Sequence, residues 1–80
     1  MATTRAFILM ETAVGKTRGV VAALRQLSGI KTVDAVTGPY DVIAVVEAAD
    51  LNAVGNLVTS NVHTVGGVVR TVTCLAVNTQ

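Results

Sequence analysis

Few side chains in this 80-residue chain could do chemistry, and most of them stand alone. There is one histidine (His63), one cysteine (Cys74) and one tyrosine (Tyr40). A nucleophile needs a base within hydrogen-bond reach, and the base needs a group to orient it. His63 has no cysteine or carboxylate near it in sequence and reads as a solvated residue in a connecting segment. Cys74 stands between Thr73 and Leu75, where a strand cysteine packs as a small hydrophobe. One cysteine and one histidine cannot supply a tetrahedral zinc site, so no metal centre within one chain is expected. The five carboxylates are scattered, and no pair has the spacing of an acid–base couple. Gly15-Lys16-Thr17 matches only the end of a phosphate-binding loop, because the earlier glycine of that motif falls at Met10. The expectation is a non-enzyme with no catalytic residues, no metal and no cofactor.

Two polar groupings remain. The first is the central stretch Val36-Thr37-Gly38-Pro39-Tyr40-Asp41-Val42, which holds the single proline and the single tyrosine. Gly and Pro together demand a turn, since Gly tolerates positive φ and Pro fixes its own φ and lacks an N–H. A hydroxyl and a carboxylate side by side on that turn could hold a polar ligand. The same residues equally describe a structural turn in which Asp41 satisfies nearby backbone. The second grouping is Arg70-Thr71-Val72-Thr73, with two hydroxyls on one face of a strand and a guanidinium on the other.

The elements that must position these groups follow from periodicity. Arg5 to Glu11 is a short apolar run that reads as a strand, followed by a Thr12–Gly15 loop. Lys16 to Leu27 reads as a helix, with Val20, Val21, Leu24 and Leu27 forming one apolar stripe. Gly19 inside it suggests a close approach to the sheet, and Ser28-Gly29 supplies the stop. Ile30 to Thr37 reads as a second strand. Val42 to Glu47 is nearly all apolar, the mark of a strand covered on both faces. Asp50 caps a second helix whose stripe is Leu51, Val54, Leu57, Val58 and Val62. Gly66-Gly67 turns the chain into a last strand, Val68 to Val77, with a polar tail Asn78-Thr79-Gln80. The order β-α-β-β-α-β is the ferredoxin-like plan: a four-stranded antiparallel sheet with two helices on one face, in a single domain over 1–80. The other sheet face stays apolar, and a second copy packed sheet to sheet would cover it.

Composition narrows the class. About half the residues, 51%, are apolar and the net charge is +1, which excludes a disordered chain. There is no basic cluster and too few aromatics for a base-stacking platform, so direct nucleic-acid binding is not expected. Lys16, Arg18 and Arg25 share one helix, as a solvated face or a docking surface for an acidic partner. The apolar run Ala6–Met10 is far too short to span a membrane, and a lone cysteine gives no disulfide framework, so the default location is the cytoplasm.

Thr37-Gly38-Pro39-Tyr40-Asp41, a helix, and then Gly67-Val68-Val69-Arg70-Thr71-Val72-Thr73 together resemble the C-terminal effector domain of the Lrp/AsnC family, the "regulation of amino-acid metabolism" or RAM module. The resemblance runs from about Arg5 to Val77. It implies an amino-acid-sensing regulatory module in transcription or metabolism. It also implies dimers formed through the sheets and assembled into a higher-order ring, an octamer or a decamer, with amino-acid effectors in clefts between neighbouring dimers. Carried onto this sequence, it assigns Gly38, Tyr40 and Asp41 to the effector site, together with Thr71 and Thr73. Family members usually carry a DNA-binding helix-turn-helix before this module. Here the module begins almost at Met1, so a stand-alone form is expected, possible partners being full-length Lrp/AsnC relatives. Pro39 fills the variable position of the turn and brings no polar side chain, which argues against a charged effector. Two rival readings stand beside this one. One is a dimeric α/β-barrel enzyme, for which Tyr40 and His63 would be the candidates. The other is a structural oligomer without ligand.

Overall fold

Strand β1 (Thr4–Thr12) lies inside the sheet and is paired on both sides. It is antiparallel to β3 (Val42–Ala48) and to β4 (Val68–Leu75), and β2 (Ile30–Ala35) pairs antiparallel with β3. The strand order is β2-β3-β1-β4. Helix α1 (Thr17–Leu24) connects β1 to β2, and α2 (Leu51–Ser60) with a short 3₁₀ turn at Val62–Thr64 connects β3 to β4. The chain thus has the ferredoxin-like βαββαβ fold in this computed structural model, which describes residues 3–77. The tail at 78–80 lies outside the described residues.

Alternation divides the sheet cleanly. Ala6, Ile8 and Met10 of β1 face Val46, Ala44 and Val42 of β3, and all six are fully buried. Val20, Val21 and Leu24 of α1 close over this layer, with Val54 and Val58 of α2 and Val62 of the 3₁₀ turn. The opposite face carries Phe7, Leu9, Ile43, Val45 and Val72, all half-buried. Arg5 lies opposite Glu47 at one end of that patch, and Glu11 opposite Arg70 at the other. Strand β3 is therefore not enclosed on both sides within one chain. Its alternate side chains are buried, and those between them reach this open face.

Several local expectations change. Regular α1 spans Thr17–Leu24 only; Arg25 to Leu27 continue in tighter turns, Gln26 N–H bonding Ala23 O and Leu27 N–H bonding Leu24 O. A Cβ placed on Gly19 would meet nothing within 4 Å, so this glycine marks no close approach. Gly67 does: at φ +101°, a Cβ there would lie 2.9 Å from Lys16 Cβ and 3.0 Å from Val20 Cγ2. Leu51 is exposed rather than part of the buried stripe, because it sits in the first turn of α2, beside the edge strand. Cys74 is also exposed; opposite Phe7 on β1, it lies on the open face, where one chain offers no cover. Asp50 caps α2 as its sequence suggests, Oδ1 accepting from Ala53 N–H at 2.8 Å.

Candidate functional site

The antiparallel register brings the Thr37–Asp41 turn, the Thr12–Gly15 loop and the Gly66–Gly67 turn to the same end of the sheet, around Thr12, Val42 and Val68. Gly38 adopts φ +128°, a backbone that residues with a Cβ rarely take, although there is open space around it. Its identity is therefore set by conformation rather than crowding.

Asp41 is built into this end. Its Oδ2 accepts from Thr12 N–H at 2.8 Å, and its own N–H donates to Met10 O at 2.9 Å. Its carbonyl accepts from Val36 N–H at 2.9 Å, which closes the turn. The carboxylate thus fixes the start of β3 to the end of β1. That bond uses Oδ2 and leaves Oδ1 available. Thr12 also shares a 2.7 Å hydroxyl–hydroxyl hydrogen bond with Thr17 at the start of α1, so loop and helix are tied to the same point.

Tyr40 reaches a second group. Arg70 donates from a terminal guanidinium nitrogen to the Tyr40 hydroxyl at 3.4 Å, and its Nε lies 3.4 Å from Glu11 Oε2. Both contacts raise the arginine's pKa above its ordinary value, the Tyr40 hydrogen bond more than the Glu11 charge. The charge therefore persists at every ordinary pH, and this contribution would be lost only as pH rose through the raised value. Glu11 and Arg70 are cross-strand neighbours on the open face. The register between β1 and β4 slips at Val69, which stands between the paired residues Val68 and Arg70.

Thr71 and Thr73 sit elsewhere. They share one face of β4, as their spacing predicts, and lie opposite Met10 and Ile8, hence on the helix-bearing side. Thr71 Oγ1 is 2.9 Å from His63 Nε2 in an exposed pair. Thr73 lines a groove of about 330 Å³ between α2 and β4, with Leu51, Val54, Gly55, Val58, Thr59 and Leu75. Within one chain, then, the turn residues join Arg70 and Glu11, and the two threonines face the other way. Sequence reading missed three contacts: Glu11 with Arg70, Thr12 with Asp41, and His63 with Thr71. Each joins residues on different elements, and only the strand register reveals it. Among the described residues, no group of three or more His, Cys, Asp or Glu side chains could hold a metal ion, and no helix is long and apolar enough to cross a membrane.

A four-stranded antiparallel sheet in β-α-β-β-α-β order with two helices on one face falls in the ferredoxin-like class. The comparison of sequences is more specific. The Lrp/AsnC ligand binding domain matches residues 5–80, and the chain belongs to that family. Among solved structures, "hypothetical protein PHS023" from Pyrococcus horikoshii is 33% identical, with 95% of this chain and 92% of that one covered and a TM-score of 0.86. TTHA0845 from Thermus thermophilus is 31% identical, with 96% of each chain covered and a TM-score of 0.89. The transcriptional regulator NMB0573 from Neisseria meningitidis, solved as an L-Met complex, shares the fold at 21% identity and a TM-score of 0.84; 94% of this chain is covered and 50% of that one. No curated protein matches the chain.

Proposed function

We propose that this chain is a non-enzymatic, amino-acid-sensing oligomeric module that regulates transcription or metabolism through partner proteins in the cytoplasm. Gly38, Tyr40 and Asp41 form its effector site, completed by Thr71 and Thr73 from a neighbouring chain. The observation that carries this reading is the Asp41 geometry: one carboxylate oxygen pins the turn and the other stays available to accept from an α-ammonium. The L-methionine complex of the fold relative supports an amino acid as the ligand class. The five residues lie on two faces of the sheet in one chain, so a site using them all has to be completed between chains. The open face supports the same view. Its apolar centre, Phe7, Leu9, Ile43, Val45 and Val72, is flanked by an acid and a base at each end, a self-complementary pattern for a two-fold dimer.

The test is a thermal-shift screen of the purified protein against the twenty L-amino acids, with native mass recorded for each hit. One or a few amino acids should raise the melting temperature, and that shift should vanish in Asp41→Asn. A screen without hits, on a protein already assembled, would reject sensing in favour of a structural oligomer.

A further inference from the structure

We infer that the outer face of α1 is a docking surface for a partner protein that presents an acidic helix. This face lies apart from the Thr37–Asp41 turn, from β4 and from the open side of the sheet, so it is independent of the effector-site reading. Charge is divided unevenly over the chain. Of the six lysines and arginines, Arg5 and Arg70 stand on the open face opposite Glu47 and Glu11, and Lys31 shares a hollow with Glu47 at the far end of the sheet. The remaining three, Lys16, Arg18 and Arg25, belong to α1 and its two caps, and all are exposed. No carboxylate accompanies them. Asp34 lies opposite Ile43 on the open face, Asp41 is tied to Thr12, and Asp50 caps α2. Among the described residues the one ion pair joins Arg70 to Glu11, so the cations of α1 have no acidic partner there. Helix α2, the other half of the same layer, carries no charged residue.

Between these cations the surface is low and uncharged. Lys16 leaves the helix toward Gly67, at the start of β4, where a Cβ on that glycine would lie 2.9 Å from Lys16 Cβ. Arg25 leaves on the other side and donates to Val33 O of the edge strand β2 at 3.1 Å. Arg18, about two helical turns before it, shares that side. Gly19 and Ala22, about one turn apart, are exposed on the crest between the two flanks. A glycine inside a helix is unfavourable, and a Cβ on Gly19 would meet nothing within 4 Å, so the chain's own packing does not call for it. Its bare backbone admits close approach from outside. A low crest flanked by cations complements a helix with a stripe of small residues bordered by Glu or Asp. The bond to Val33 O already holds Arg25, which lowers the cost of ordering it. A second copy is a poor occupant, because its own α1 would bring like charges together. The crest offers no side-chain donor to phosphates, which favours an acidic protein over nucleic acid.

The experiment is fluorescence anisotropy at low salt, on the intact chain without amino acid, with three labelled probes. One is a helical peptide with an alanine stripe bordered by glutamates, the second has glutamine at every glutamate, and the third is a short DNA duplex. The glutamate peptide should bind wild type, lose affinity as salt rises, and shift the amide NMR signals of Lys16 to Gln26. Lys16→Glu combined with Arg18→Glu should weaken it roughly tenfold or more. Gly19→Gln keeps every cation and has room within the chain, so it should fold by circular dichroism and yet bind the peptide roughly tenfold more weakly. No binding of the glutamate peptide, equal binding of its glutamine version, or unchanged affinity in Gly19→Gln overturns the docking surface. Tighter binding of the DNA duplex, lost in the charge-reversed variant, assigns the cations to nucleic acid and overturns the acidic partner. None of these outcomes bears on amino-acid sensing, which the thermal-shift screen decides separately.

Discussion

Asp41 is assigned two jobs, and substitutions there should separate them. Its Oδ2 accepts from Thr12 N–H at 2.8 Å in a partly buried position. A hydrogen bond to a charged group contributes about 1.5–3 kcal/mol. Asp41 is only half-buried, so solvent screening discounts that range to about 1–2 kcal/mol. A domain of this size has a total stability on the order of 4–12 kcal/mol, so the loss is a large fraction. At roughly 4–8 °C per kcal/mol, Asp41→Ala should melt about 5–15 °C below wild type. Asp41→Asn keeps an amide oxygen where Oδ2 stood and should retain most of the stability. It loses the negative charge that would meet an α-ammonium, so ligand affinity should fall in both variants. The assay is thermal unfolding by circular dichroism at one fixed protein concentration, because assembly itself raises the melting temperature. Calorimetric titration of the folded variants with an amino acid follows. Asp41→Ala melting within a degree of wild type would refute the pinning role. Asp41→Asn binding ligand as tightly as wild type would refute the recognition role.

Two other substitutions probe the frame around the site. Gly67→Ala puts a methyl group 2.9 Å from Lys16 Cβ and 3.0 Å from the buried Val20 at a positive φ, so it should lose about 1–3 kcal/mol, read as a lower urea midpoint; an unchanged midpoint would mean that this turn gives way freely. Leu9→Asp places a charge at the centre of the open apolar face without touching the helix-side core, so native mass should fall toward a single chain while the circular dichroism spectrum is kept. An unchanged mass would remove that face as the assembly surface.

Much of the fold was legible because alternation and helical spacing are local. Ala6, Ile8 and Met10 alternate with Phe7 and Leu9, and Val20, Val21 and Leu24 recur at helical spacing. The errors have physical causes of their own. Leu51 fits a helical stripe, but β4 is an edge strand that α2 does not fully cover, so the side chain stays exposed. Gly19 and Gly67 look alike in sequence, yet only Gly67 has a positive φ and a neighbour in the way. Cys74 reads as buried because the strand is apolar, while a single chain has nothing over that face. Of the candidate site, the turn and the two threonines were visible as residue types, and the separation of Arg70 from the threonines followed from period two. The contacts Glu11–Arg70 and Thr12–Asp41 depend on the register between strands far apart in sequence, which residue types alone do not reveal.

The division of the site across β4 has a thermodynamic consequence. Tyr40, Asp41 and Arg70 serve the turn end of one chain, while Thr71 and Thr73 serve the opposite face of the strand. If a ligand needs both sets, an isolated chain binds it weakly, and the assembled form is the state with high affinity. Ligand then stabilises assembly by an amount that grows with the logarithm of its concentration over its dissociation constant. By the same linkage, assembly raises affinity by the factor with which ligand favours assembly. No moving part inside the domain is required. The core layer is buried and the turn is tied by three hydrogen bonds through Asp41, so on the proposed reading the domain would serve as a rigid half-site. The variable that would respond to ligand is then the arrangement of chains. On the proposed reading recognition and association draw on the same surfaces, which is why a small domain without a moving part could sense a metabolite.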